Sequence, residues 1–156
     1  MTTPYLTPLG PEDLREAGIP APWGFGLSDR VRFGEIDVLG HVNNAVYFKW
    51  FENLRIAYFH HLGLRSTDGL RPKMVLRSVT LDYLAEILPG DTYTLTGRTS
   101  AMRQSSFTME QAVWVNGRMT TLGTAVMVAL GPDNTKMPLP ETLREVLIAR
   151  DGARQD

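Results

Sequence analysis

A carboxylate, a glycine, an imidazole and two amides fall within eight residues, Asp37-Val38-Leu39-Gly40-His41-Val42-Asn43-Asn44. A carboxylate can act as nucleophile or general base. The run leads straight into an apolar segment, Ala45 to Leu64, that reads as a helix. The first N–H groups of a helix lack intrahelical partners and carry the positive end of its dipole. They can hold a developing oxyanion beside the carboxylate. Gly40 would let the backbone approach a substrate closely. The same residues have plainer uses. Asp-x-x-Gly is ordinary turn chemistry, His41 could be a core histidine satisfied by backbone, and Asn43 or Asn44 is a natural N-cap.

The helix that must position this loop has Gly63 as its natural stop. Val46, Tyr47, Phe48, Trp50, Phe51, Leu54, Ile56, Ala57, Tyr58 and Phe59 cover nearly its whole circumference. Such a helix is expected to be buried, with a second layer or subunit covering what one sheet face cannot. Tyr47 and Trp50 are expected in the core or an interface. Glu52 is expected to pair with Arg55 at i+3 or to hold the motif loop. His60-His61 reads as a solvated helix end, since adjacent helical residues point apart, and no metal is expected there.

Phe25 to Phe33 reads as a strand with Phe25, Leu27, Val31 and Phe33 facing inward. Met74 to Leu84 alternates, with Val75, Val79, Leu81 and Tyr83 on one side. Thr92 to Thr99 and Phe107 to Val115 are further strands. Asn116-Gly117 is a type I′ hairpin signal, and Arg118 to Leu130 returns. Glu141 to Arg150 is an expected short amphipathic helix. Residues 1–23 are proline-rich and read as an N-terminal arm, with a short helix at Pro11 to Gly18. Residues 24–150 form one domain. A strand, a long helix and then an antiparallel meander imply an α+β sheet curled around the helix.

The chain has 156 residues and a net charge of −1. That size suits one domain with a real core. The charge points to neither nucleic acid nor an anionic membrane as partner. No cysteine is present, which excludes disulfides and thiolate chemistry. The longest uninterrupted apolar run, Ala125 to Leu130, is far short of the roughly 20 residues that span a bilayer. Met1 to Gly10 lacks the basic start and apolar core of a signal peptide, so the cytoplasm is the expected compartment.

Val31-Arg32-Phe33-Gly34-Glu35-Ile36-Asp37, then Gly40-His41-Val42-Asn43-Asn44, Tyr47, Phe51-Glu52 and Arg55 resemble the opening of the hotdog-fold acyl-CoA thioesterases of the 4-hydroxybenzoyl-CoA thioesterase type. The resemblance implies a five-stranded antiparallel sheet wrapped around the helix. It also implies a homodimer or homotetramer with active sites between subunits. The implied reaction is metal-free hydrolysis of an acyl-CoA thioester, with coenzyme A entering only as part of the substrate. Asp37 matches the catalytic carboxylate, as nucleophile or as activator of water. Asn44 matches the helix-start position whose backbone N–H polarises the carbonyl. His41 and Asn43 match residues that orient water, leaving group or loop. Ile36 departs from the commoner acid-Thr-Asp pattern. Cations suited to the coenzyme phosphates are Lys73, Arg77 and Arg103, with donors at Ser105 and Ser106.

Two other readings remain at this point. One is a non-catalytic hotdog module that binds an acyl thioester or a partner protein. The other is an enoyl-CoA hydratase, whose signature resembles D-x-N-P-x-H. Here His41 is four positions after Asp37, not five, and Leu39 stands where that signature has Asn.

Overall fold

The computed structural model describes residues 4–64 and 72–156. The elements are α1 (Pro11–Glu16), β1 (Gly26–Arg30), a 3-10 turn (Phe33–Glu35), α2 (Val46–His61), β2 (Lys73–Tyr83), β3 (Thr92–Met102), β4 (Ser106–Val115), β5 (Arg118–Leu130), α3 (Glu141–Asp151) and a short β6 (Arg154–Gln155). The five long strands form one antiparallel sheet in the order β1-β3-β4-β5-β2. β6 adds a two-residue parallel pairing to β3. The sheet curls around α2, which is the hotdog architecture that the resemblance implies.

The meander is shorter than expected. It covers β3, β4 and β5, whereas β2 crosses to the far side and pairs with β5 along ten positions. Alternation along a strand records which face is apolar but not which neighbour supplies the hydrogen bonds. A bulge between Leu76 and Ser78 also changes the expected facing. An extra residue in one strand flips the faces on either side of it. Met74, Val79 and Leu81 therefore pack on the core, while Val75 points away and is exposed.

α2 is buried along one stripe, not all round. Tyr47, Trp50, Phe51, Leu54 and Tyr58 face the sheet, each at most 3% exposed. Their spacing is that of one helical face. Full burial of each such side chain is worth about 1.5–3 kcal/mol, so this stripe is what holds the helix on the sheet. Phe48 and Ile56 on the opposite face stay exposed. The helix ends in a Schellman motif. The Leu64 N–H donates to the Phe59 carbonyl, and Gly63 N–H to that of His60, with Gly63 at φ 78°. Arg55 lies under the helix and donates to Gln111 Oε1 at 3.0 Å. It does not pair with Glu52, which faces solvent and pairs with Lys49 at 2.9 Å.

The N-terminal segment packs on the sheet. Leu9, Leu14, Ile19 and Trp23 form a second apolar cluster with Ala112 and Trp114 on the outer face of the sheet. Trp23 meets Trp114 edge to face at 6.2 Å. Backbone bonds from Leu6 to Ser28 and between Leu9 and Gly26 also cover the edge of β1. Residues 1–3 of the expected arm lie outside the described residues. Phe33, expected inward, is 99% exposed, because the chain leaves the sheet at Arg30 and tightens into the 3-10 turn.

Candidate active site

The motif loop is held by its own backbone. Ile36 and Val42 pair as an antiparallel bridge. The Asp37 N–H donates to the His41 carbonyl at 3.0 Å, and Gly40 N–H to that of Asp37 at 3.0 Å. Gly40 sits at φ 83°, where a side chain is strained. Apart from its chain neighbours, no atom of the described residues lies within 4 Å of where its Cβ would stand. The glycine is thus required by the turn. Two bonds fasten the loop from outside its tip: Val42 N–H to the Ile87 carbonyl, and Asn43 N–H to that of Glu35, both 2.9 Å.

Asp37 is half-buried. Its Oδ1 accepts the Leu39 N–H at 2.8 Å, an Asx turn, and its Oδ2 has no partner among the described residues. The turn role and a chemical role therefore fall on different oxygens of one carboxylate. His41 is half-buried too, with Nδ1 at 3.4 Å from the Val42 carbonyl. Asn43 and Asn44 are not the helix cap; that position is Ala45. Asn43 Oδ1 accepts the Ala45 N–H at 2.9 Å, and the Asn43 carbonyl accepts the Val46 N–H at 3.0 Å. Among the N–H groups of residues 43–46, only that of Asn44 lacks an acceptor in the described chain.

Asp37, His41 and Asn44 line one cleft of about 450 Å³, together with Leu39, Tyr47, Tyr83, Leu84 and Glu86. Asn43 does not line it, because its amide is turned toward the helix start. The Tyr83 hydroxyl donates to the Asn44 carbonyl at 2.7 Å. The Tyr83 ring stands edge-on to Tyr47 at 5.1 Å. Burial pushes the Tyr47 phenol up to about 12, so it stays protonated at neutral pH. An unpaired carboxylate oxygen, a free amide N–H and an imidazole can together attack a carbonyl and hold its oxyanion.

The expected phosphate-binding residues divide. Arg77, Arg103 and Ser106 meet in a second cleft of about 380 Å³ with Ser78, Thr108 and Asp156. Neither arginine is ion-paired among the described residues. The turn that carries Arg103 is held by Arg144, which donates to the carbonyls of Arg103 and Gln104 at 2.7 and 2.9 Å. Lys73 does not join this cleft and instead donates to Asn134 Oδ1 at 2.9 Å. Ser105 does not join it either; its carbonyl accepts the Ala129 N–H at 2.9 Å. Arg77 and Tyr83 are six positions apart on β2, about 20 Å in an extended strand. The two clefts therefore lie apart along the same strand, one near its middle and one at its end.

Sequence reasoning missed Glu35 and Tyr83. Glu35 Oε2 accepts the Arg32 N–H at 2.8 Å, while Oε1 accepts from Trp50 Nε1 at 2.9 Å. It ties the loop to α2. Its signals were its place as the acid of the acid-Thr-Asp pattern and its position three residues after the turn begins, the spacing of a capping box. Tyr83 gave no signal beyond its place at the end of an alternating strand.

The sheet curled on one helix, with an acid and an open amide lining one cleft at that helix's start, is an arrangement suited to acyl transfer. The sequence model of the thioesterase-like superfamily matches residues 31–147. The chain belongs to that superfamily. It is 44% identical to a thioesterase-superfamily protein from Jannaschia sp. CCS1, covering 97% of this chain and 98% of that one, with a TM-score of 0.91. It is 37% identical to a thioesterase from Thermus thermophilus solved with coenzyme A and Zn, covering 81% and 93%, with a TM-score of 0.72. It is 27% identical to the acyl-CoA thioester hydrolase YbgC of Escherichia coli, over 77% of this chain and 90% of that protein. No helix among the described residues is long and apolar enough to cross a membrane.

Proposed function

We propose that this protein is an acyl-CoA thioesterase of the 4-hydroxybenzoyl-CoA thioesterase type. The observation that carries the reading is that Asp37, whose Oδ2 is unpartnered, and Asn44, whose N–H is free, line one cleft. Asp37 attacks the thioester carbonyl, or takes a proton from a water that attacks it. The carbonyl oxygen becomes an oxyanion and accepts from Asn44 N–H. The C–S bond then breaks and the coenzyme leaves as thiolate, which takes up a proton. In the nucleophilic route, water afterwards cleaves the mixed anhydride and frees Asp37. His41 orients the water or the leaving group. Asn43 acts by fixing the helix start. These groups supply the base, the acceptor and the donor without a resident cofactor, and coenzyme A enters as part of the substrate.

Arg77, Arg103 and Ser106 hold the coenzyme phosphates in this proposal, supported by their shared cleft. The clefts lie apart within one protomer, which favours a homodimer or homotetramer in which neighbouring copies complete each site. Two features support assembly. Phe33 on the 3-10 turn and Val38 and Leu39 on the motif loop are 99%, 102% and 74% exposed, a large apolar area for a free surface. The outer edge of β2 has no pairing strand among the described residues, whereas the β1 edge is covered.

The test is thiol release from a panel of acyl-CoAs by wild type and Asp37→Ala. Loss of at least about a hundredfold in the variant is expected, the scale of removing a positioned proton-transfer group or nucleophile. Equal turnover in both proteins rejects the assignment. Tight acyl-CoA binding with no turnover in wild type favours the non-catalytic module. Water addition to crotonyl-CoA favours the hydratase.

A further inference from the structure

We infer that Tyr83 is a positioning residue for hydrolysis: its hydroxyl locks the Asn44 peptide so that the Asn44 N–H stays aimed into the cleft. The inference rests on the thioesterase reading above. The N–H of Asn44 belongs to the Asn43–Asn44 peptide plane. That plane is fixed because the Asn43 carbonyl accepts the Val46 N–H at 3.0 Å. The next plane carries the Asn44 carbonyl and the Ala45 N–H. It is fixed on one side by Asn43 Oδ1 at 2.9 Å and on the other by the Tyr83 hydroxyl at 2.7 Å. With both planes held, the two backbone dihedrals at Asn44 cannot drift, and the free N–H keeps one direction.

Of these three bonds, only that of Tyr83 comes from outside the loop. It spans 39 positions and ties the helix start to the end of β2. The ring is itself seated edge-on against Tyr47, which is 2% exposed. Burial raises the Tyr83 phenol above its ordinary range, so it remains a donor at neutral pH. An oxyanion donor acts by being aimed before the charge develops, so loss of aim lowers the rate more than the binding.

The test uses Tyr83→Phe, which keeps the ring and removes the hydroxyl, beside Tyr83→Leu. Expected for both is a kcat about tenfold lower with KM within twofold of wild type. Hydrogen exchange at the Ala45 and Val46 amides should quicken at least tenfold in both. The pH profile should keep its shape, since the phenol does not titrate in the reaction. A Phe variant with wild-type kcat and exchange, with only the Leu variant impaired, makes Tyr83 a packing residue and overturns the inference. A change confined to KM makes it a substrate contact and overturns it too. Wild type that cleaves no thioester, while exchange still quickens in Tyr83→Phe, defeats the thioesterase reading and with it the catalytic part of the inference. Unchanged exchange defeats the structural part whatever the kinetics.

Discussion

Trp50 Nε1 donates to Glu35 Oε1 at 2.9 Å, across fifteen positions of sequence. This single bond joins the turn before the motif loop to the buried face of α2. Trp50 also stacks on Tyr93 with ring centroids 3.9 Å apart. The loop that carries Asp37 is thereby referenced to both the helix and the sheet. Glu35 holds it a second time through its backbone carbonyl, which accepts the Asn43 N–H at 2.9 Å.

Glu35→Ala should lower stability by about 2 kcal/mol, because the Trp50 N–H loses a charged acceptor. It should also lower kcat by about tenfold through a looser loop. Glu35→Gln should fall in between. The amide oxygen replaces only one of the two carboxylate oxygens that now accept from Arg32 and Trp50, and the NH2 faces a donor at the other. Urea unfolding midpoints and thiol-release rates on the same samples check the pair. Wild-type values for the Ala variant would remove Glu35 from this account.

Asp37→Asn separates the turn from the chemistry. The amide oxygen can still accept the Leu39 N–H, so the Asx turn survives. The negative charge and its nucleophilicity do not. Thermal melting should stay within a few degrees of wild type, while thiol release falls at least about a hundredfold. A variant that melts much earlier would mean that the carboxylate is chiefly structural.

The Arg77→Ala, Arg103→Ala pair should raise KM for acyl-CoA by about tenfold at low salt with little change in kcat, since charge-assisted phosphate contacts act on binding. A pantetheine thioester without the phosphates should show no difference between variant and wild type. Added salt should weaken wild-type binding toward that of the variant. An equal effect on both substrates would place these arginines elsewhere in the mechanism.

Alkaline unfolding should carry a Tyr47 signature. Burial raises its phenol to about 12, with Thr121 opposing the rise and Tyr83 adding to it. The unfolded chain ionises near pH 10. Below about pH 10 this contribution is fully present. Between about pH 10 and 12 the unfolded state gives up the proton and the folded state keeps it, so stability falls, by about 2–3 kcal/mol in all. Tyr47→Phe should show a correspondingly shallower loss over that interval, measured as urea midpoints at stepped pH. Parallel curves for the two proteins would contradict it.

Gly123→Ala should destabilise the sheet sharply. Its Cβ would collide with the Thr80 carbonyl oxygen and stand 2.5 Å from Leu81 Cδ2. Backbone cannot yield as a side-chain tip can, so a loss of about 2 kcal/mol or more is expected. Gly97→Ala should cost less, because the nearest atom is Leu54 Cδ2 at 3.1 Å. Melting temperatures order the two, and the reverse order would be inconsistent with this packing.

The sequence alone determined the long helix, most of the strands and the chemistry-bearing loop. Strand boundaries such as Arg118–Leu130, the glycine that ends α2 and the Asp37-to-Asn44 cluster follow from short-range periodicity, turn geometry and local residue types. Tertiary structure decided what depends on partners far along the chain. It placed β2 against β5, turned Val75 outward through one bulge, sent Arg55 to Gln111, and packed Trp23 on Trp114. It also gathered Arg77, Arg103 and Ser106 while leaving Lys73 and Ser105 apart. The physical reason is that spacing fixes which way a side chain leaves its own element. The acceptor or ring it meets there is supplied by another element, and only the folded sheet brings that element near.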